Sequence, residues 1–253
     1  MIAVELQCRL GNQMFQLAAG YHLAKKYDRE LVLYENRDNK TFEYERIPFI
    51  LSGRTVIDSV AGFREYKEGK YQERVDLSTV GEYDKVHLKG FFQSDIYFDR
   101  EDADELFPIP QYIQEQYAYL KDYVNVSLRL TDYTKYKNLF VIPSLEWYYK
   151  CYHKYFEGKN VLVTSDDLEW CKKNLKLPNV EFLQNDDPVE TLFIKSMCKN
   201  HIMPPSTYNW WACYLSGEDS TVIAPTPWIG PYLQGKFNEE DKYCSWFTKE
   251  PLI

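Results

Sequence analysis

Residues 1–27 read MIAVELQCRLGNQMFQLAAGYHLAKKY, and this stretch decides the fold class. A short strand-like run, Ile2 to Leu6, gives way to a Gly11–Asn12 corner. Beyond it, Met14, Leu17, Ala18, Tyr21 and Ala24 share one helical face. The spacing predicts a helix over 12–27, with Asn12 as its N-cap and Gly11 permitting a tight turn. A second run, ELVLY at 30–34, follows at once. Strand, helix and strand with short connections is the unit from which parallel sheets are built. The unpaired N–H groups of the first helical turn then point outward from the strand's C-terminal edge, where open α/β sheets take ligands and anions are favoured. Taken alone the corner is weak, since CRLGNQ is neither a dinucleotide fingerprint nor a P-loop.

Working outward, residues 35–83 are polar and irregular. KVHLKGFFQS reads as a strand entering a loop, and DIYFDREDADELF as an acidic helical stretch. After Pro108-Ile109-Pro110 comes a helical QYIQEQYAYLKDY, and the pattern then restarts. VNVSLRL, NVLVTS, VEFL, HIM and TVIA read as strands. SLEWYYKCYHKYF, DLEWCKKNL, PVETLFIKSMCK and TYNWWACYL read as the helices between them. The order predicts an α/β protein of two parallel-sheet units facing a cleft. Residues 1–115 form the first, 116–235 the second, and 236–253 an extension packing back on the body.

Composition narrows the classes. The chain has 253 residues, 45% of them hydrophobic and 27% charged, as an ordinary globular protein has. A net charge of −8 argues against a nucleic-acid binder. No run of ~18 apolar residues occurs, so no transmembrane segment is expected. The opening reads as a strand rather than a leader, which predicts a cytoplasmic protein. Six cysteines lie singly without a CxxC pair, and the four histidines are equally scattered. That pattern predicts reduced, mostly buried thiols and no zinc site. The Asn125-Val126-Ser127 sequon falls in a strand expected to be buried and is set aside.

Three segments of the second unit could carry chemistry. In VNVSLRL, alternation puts Ser127 and Arg129 on one face of a strand. A guanidinium at a strand end needs a partner, and either a phosphate or the internal carboxylate Asp132 would serve. In VTSDDLEW, one carboxylate, most simply Asp166, caps a helix while the other could accept hydrogen bonds from a base or ribose. In PPSTYNWWACYL, Ser206 is a predicted N-cap with Thr207 beside it. Two hydroxyls, a helix start and a nearby arginine suit a diphosphate.

CRLGNQMFQLAAGYHLAKK, GFFQSDIYF, VSLRLTDY, TSDDLEWCKKNL and DPVETLFIKSMCKNHIMPPSTYNWWACYL occur in that order and span most of the chain. Together they resemble the inverting α-1,2-fucosyltransferase family. The resemblance implies two compact Rossmann-like domains in a GT-B-like arrangement. It also implies GDP-fucose as donor, no metal or other cofactor, and transfer to the 2-hydroxyl of a galactose-type glycan acceptor. It implies that Arg129 holds the β-phosphate, Asp166 contacts guanosine, and Ser206 and Thr207 bind phosphate oxygens with Tyr208 beside them. Gly11 and Asn12 would shape a loop over the donor. Apart from the resemblance, a carboxylate could take the acceptor's proton, with Asp95 and Asp132 as candidates, while a loose transition state would need no base. The sequence departs from the family's His-x-Arg-Arg-Gly-Asp pattern at Ser127 and Leu130, and Pro205 replaces an asparagine. These changes leave another nucleotide-sugar donor, or a non-catalytic glycan- or nucleotide-binding role, as alternatives. Asp102-Ala103-Asp104 has the form of a metal-binding DxD, but lies in an acidic helical run expected to be a solvated face.

Overall fold

The computed structural model of the protein describes residues 1–35, 45–131, 133–136, 138–236 and 238–252. Asp132 therefore lies outside the described residues. The chain divides into two units, Met1–Pro108 with Lys236–Lys242, and Ile109–Gly235 with Tyr243–Ile253.

The first unit opens as expected, with β1 (Ile2–Glu5), α1 (Leu10–Lys26) and β2 (Leu31–Tyr34). β1 is buried along its whole length and lies at the centre of an all-parallel sheet, as a strand covered on both faces must. α1 packs closely on it through Gly20, where a Cβ would fall 2.1 Å from Val4 Cγ2. The irregular stretch that follows contains a short helix, α2 (Pro48–Leu51), and two strands that its composition conceals. These are β3 (Thr55–Ile57) and β4 (Arg64–Lys67). β5 (Val86–Lys89) completes the sheet in the order β3-β2-β1-β5-β4. The acidic stretch is a 3₁₀ turn at Asp95–Tyr97 followed by α3 (Arg100–Leu106).

Helix α1 starts two residues before the expected point. Cys8 takes the left-handed conformation, φ 59°, and makes the corner itself, so Arg9 is the N-cap and Gly11 lies inside the first turn. Asn12 is thus not a cap, and its side chain is used elsewhere.

The second unit runs α4 (Gln111–Gln116), β6 (Val124–Leu128), α5 (Leu145–Tyr155), β7 (Val161–Ser165), α6 (Leu168–Asn174) and β8 (Val180–Phe182). It continues through α7 (Pro188–Ser196), β9 (Asn200–Ile202), α8 (Thr207–Leu215) and β10 (Thr221–Thr226). The sheet is again all parallel, in the order β11-β10-β9-β6-β7-β8, where β11 is Phe247–Pro251. β6 is wholly buried and packs with β7, Trp147, Tyr148, Tyr152 and Cys171 into one apolar core. Five of the six cysteines are buried and Cys8 is half-buried.

Edge strand β11 is fastened by charge. Glu250, 3% exposed, accepts hydrogen bonds from Lys154 Nζ at 2.8 Å and Tyr155 Oη at 2.7 Å, and pairs with Lys150 at 2.8 Å. Burial alone would raise its carboxyl. The two ammonium groups and the hydroxyl outweigh that and bring it down to about 2, from an ordinary 4.5. A depressed carboxylate stabilises the fold above its unfolded pKa and loses that contribution as pH falls through the folded one. Glu250→Gln is therefore expected to cost ~1–2 kcal/mol at neutral pH, after allowance for the partly exposed lysines. Denaturant titrations should show the gap between variant and wild type shrinking below about pH 4.5 and closing near pH 2.

Candidate active site

In each sheet the chain order reverses at one point, and the loops leaving the strands there form the crevice in which doubly wound sheets take ligands. In the first unit the reversal lies between β1 and β5. The loops after these strands carry two of the chain's left-handed non-glycine residues, Cys8 and Phe92, the latter at φ 51°. Such backbone is costly and is retained where surrounding contacts fix it. Here three amide side chains on α1 do the fixing. Gln93 Nε2 donates to Asn12 Oδ1 at 2.6 Å, and Gln16 Nε2 donates to Gly90 O at 3.0 Å. Gln16 Oε1 also accepts from Gln7 N at 2.9 Å. Gln13 Nε2 donates to Cys8 O at 2.8 Å and Glu45 O at 2.7 Å. The Gly-Asn-Gln corner is thus a hub joining the loop after β1 to the loop after β5. Gln13 and Gln16 escaped the sequence reading, although two amides three apart on the sheet-facing side of a helix are a visible anomaly in an apolar stripe. Asp95 follows in the same β5 loop, half-buried in its 3₁₀ turn behind the cap Ser94, whose Oγ accepts from Ile96 N.

In the second unit the reversal lies between β6 and β9. Arg129 is the first residue after β6, Ser206 and Thr207 follow β9, and Asp166 follows β7, the strand on the other side of β6. Three neighbouring parallel strands therefore deliver these side chains to one sheet edge. Arg129 is held between two groups. Its Nη1 lies 3.5 Å from Asp166 Oδ2, and its guanidinium sits 5.7 Å from the centroid of the Tyr133 ring. Tyr133 is itself stacked on Phe140 at 4.2 Å and donates to Pro205 O at 2.8 Å. That hydroxyl ties the arginine loop to the residue preceding Ser206, a link the sequence did not disclose.

Asp166 does not cap α6. Asp167 does, accepting from Trp170 N at 2.9 Å. Asp166 instead accepts from Leu130 N at 2.8 Å, Thr131 N at 3.1 Å and Thr131 Oγ1 at 2.5 Å, shaping the loop that carries Arg129. Ser127 lies inside the sheet, 1% exposed; Asn125 Nδ2 donates to its Oγ at 3.1 Å, and its hydroxyl also lies 2.9 Å from Thr164 Oγ1. Alternation had grouped it with Arg129, but the strand ends at Leu128 and only the arginine leaves the interior.

Ser206 occupies the N-cap of α8 without a side-chain bond to the helix. The predicted N-cap position holds, but its hydroxyl makes no capping bond and the first-turn amides are not met by it. Thr207 and Tyr208 are half-buried, and Tyr208 Oη donates to Pro188 O at 2.6 Å. Burial, with the negative field of Asp187, raises the Tyr208 phenol and keeps it neutral.

The DxD-like pair divides. Asp104 is exposed and bonds Arg100 at 3.0 Å, but Asp102 is 4% exposed, correcting the expected solvated face. Asp102 pairs with His22 at 2.7 Å and Lys25 at 3.2 Å. His22, Asp99 and Asp102 could each offer a metal one atom, all within 4.8 Å of one another. Lys25 already shares that position, and the group serves as the fastening between α1 and α3.

A family model, glycosyl transferase family 11, matches residues 64–249, almost three quarters of the chain, including all of the second-unit site and the loop after β5 in the first. The chain belongs to glycosyl transferase family 11. It is a fucosyltransferase-like glycosyltransferase, and the resemblance read from its five motifs holds. An alpha-1,2-colitosyltransferase of Escherichia coli is 26% identical, over 90% of this chain and 92% of its own. A galactoside alpha-(1,2)-fucosyltransferase 2 of Hylobates lar is 23% identical, over 85% and 69%. Among solved structures, a NodZ alpha-1,6-fucosyltransferase co-crystallized with GDP shares the fold at a TM-score of 0.50. It is 13% identical, over 83% of this chain and 90% of that one. Among the described residues of the family 11 chain, no helix is long and apolar enough to cross a membrane.

Proposed function

We propose that this family 11 protein is an inverting α-1,2-fucosyltransferase, moving fucose from GDP-fucose to the 2-hydroxyl of a galactose-type glycan. One observation carries the reading. Arg129 and the uncapped start of α8 leave adjacent parallel strands at the reversal of the second sheet, where a nucleotide diphosphate fits. Asp166 and Tyr133 preorganise the guanidinium, and Ser206 and Thr207 add hydroxyls to the helix amides. The acceptor oxygen attacks the anomeric carbon as the bond to the β-phosphate oxygen breaks. The electron pair goes to GDP, and Arg129 with the helix start stabilises the charge that builds there. Asp95 or Asp132 takes the acceptor's proton. A metal has no assigned part in this scheme.

A second donor stays in view because the Escherichia coli relative carries a colitosyl name. A colitosyl donor that is also a nucleotide sugar would present the same type of anion, so discrimination would fall to the sugar. Purified protein should form GDP from GDP-fucose with a lactose-type acceptor, with the product's linkage fixed by NMR. EDTA should leave the rate unchanged. Turnover confined to another nucleotide sugar would replace the donor, and no turnover with any of them would leave only a binding role.

A further inference from the structure

Behind the first turn of α8 lies a charge that the proposed chemistry has not used. Lys195, on the last turn of α7, is 2% exposed, and its ammonium donates to Asn209 Oδ1. It also lies 4.8 Å from the centroid of the Tyr208 ring. No salt bridge joins it to a carboxylate among the described residues. A buried ammonium left with one amide and one ring face is poorly compensated, because a charge removed from water needs an opposite charge or a full set of hydrogen bonds. An isolated structural hydrogen bond to Asn209 could be made as well by a neutral side chain.

The surrounding groups leave Lys195 as the one that can respond. From α8 it faces Tyr208 and Cys213, from the end of α7 Cys198, from β9 His201, and from the loop after β6 Arg129. Burial raises Tyr208, takes Cys213 up to about 12, and pushes Cys198 higher still, so all three are neutral. Burial takes His201 down to about 3, neutral as well, and its Nε2 donates to Cys198 O at 2.9 Å. Arg129 keeps its charge and opposes a second one nearby. Asp187, at the other end of α7, is engaged with Val189 N and Glu190 N. Burial first, then Arg129, brings Lys195 down to about 7.

We infer that Lys195 is the conditional second cation of the donor site, a buried amine beneath the start of α8 that takes up a proton when the diphosphate arrives. The inference rests on the diphosphate binding at Arg129 and α8. Lys195 acts as a positioning residue, through Asn209, Tyr208 and its field on the first turn. In the empty protein, Arg129 and low polarity disfavour the ammonium. The incoming anion supplies the missing counter-charge, so the amine becomes protonated and the proton comes from solvent. No covalent bond changes. The chain has Leu130 beside Arg129, and this arrangement supplies the second positive charge from below the helix without leaving two cations facing each other when the site is empty.

The test is calorimetry of GDP binding to the full chain at about pH 8, where GDP is fully ionised. Titrations in two buffers of different ionisation enthalpy give the protons exchanged. Wild type should take up roughly half to one proton per GDP, and its Kd should rise about three- to tenfold between about pH 7 and pH 8.5. Lys195→Met should show almost no uptake and a nearly flat Kd. The variant also isolates Lys195 from Lys242 of the first unit, which burial brings down to about 8. GDP binding to wild type without proton uptake, or equal uptake by Lys195→Met, would overturn the inference and leave the donor site standing. Failure of wild type to bind GDP at all would overturn both. The wild-type proton count needs no variant, so its absence overturns the inference even if Lys195→Met folds poorly.

Discussion

Arg129→Ala is expected to lower kcat/KM for GDP-fucose about 10²- to 10³-fold while leaving the protein folded. The magnitude has two parts. A charge-assisted hydrogen bond to phosphate is worth ~1.5–3 kcal/mol, roughly ten- to 150-fold in donor affinity. The remainder appears in kcat, because negative charge on the leaving diphosphate grows toward the transition state and a preorganised cation meets it there. The fold should survive because Asp166, the carboxylate facing Arg129, keeps its bonds to Leu130 N, Thr131 N and Thr131 Oγ1 when the guanidinium is removed. The melting temperature should therefore move by only a few degrees. Arg129→Lys should recover part of the affinity and less of the rate, since an ammonium lacks the planar fork that Asp166 and Tyr133 orient. Turnover within threefold of wild type in Arg129→Ala, measured at saturating and limiting donor, would remove Arg129 from the site.

The fold was legible where burial imposes a period, and obscure where it does not. β1, α1, β6 and β7 announce themselves because a fully covered parallel strand is a continuous apolar run and its helix shows one apolar face. β3 and β4 gave no such signal. Thr55 and Val56 are exposed at one sheet edge, and β4 at the other edge reads Arg-Glu-Tyr-Lys with only Tyr66 buried. An edge strand pairs through its backbone, which the side chains do not record. β11 was read only as a returning extension for the same reason, since its Glu250 looks like a surface charge until Lys150 and Lys154 enclose it.

The site shows a different limit. Arg129, Ser206 and Thr207 stood out because each sits where a strand ends, and the strand order supplied the reason they converge. What the sequence could not supply was the pairing of loops distant along the chain. Tyr133 with Pro205 joins two such loops, and Asn12 with Gln93 joins α1 to a third. The Asp166–Asp167 ambiguity is local by contrast. Either neighbour could have capped α6, and the one whose carboxylate meets Trp170 N took the position, releasing the other to the arginine loop.

Gly20→Val is expected to be the most destabilising single substitution in the first unit, by ~3–4 kcal/mol, or roughly 6–15 °C in melting temperature. A Cβ at this position would lie 2.1 Å from Val4 Cγ2 and 3.0 Å from Leu31 Cδ1. Leu31 is half-buried and can turn its Cδ1 aside, but Val4 cannot. Val4 is fully buried at the centre of the sheet, and a β-branched side chain has little rotamer freedom with which to turn aside. Gly20→Ala should be milder, because the helix gains about 1 kcal/mol in propensity while paying for one methyl group. Valine adds two more carbons and recovers little of that gain. Removing the obstacle should reverse the effect. In a double-mutant cycle, Val4→Ala combined with Gly20→Ala should be more stable than the sum of the single changes by ~1 kcal/mol or more. The consequence reaches function, because α1 also carries Asn12, Gln13 and Gln16. Lifting the helix from β1 would pull those amides from Gln93, Cys8 and Gly90, so activity should fall before the unit melts. Thermal unfolding of Gly20→Val indistinguishable from wild type would show that the helix rides higher on the sheet than this packing requires.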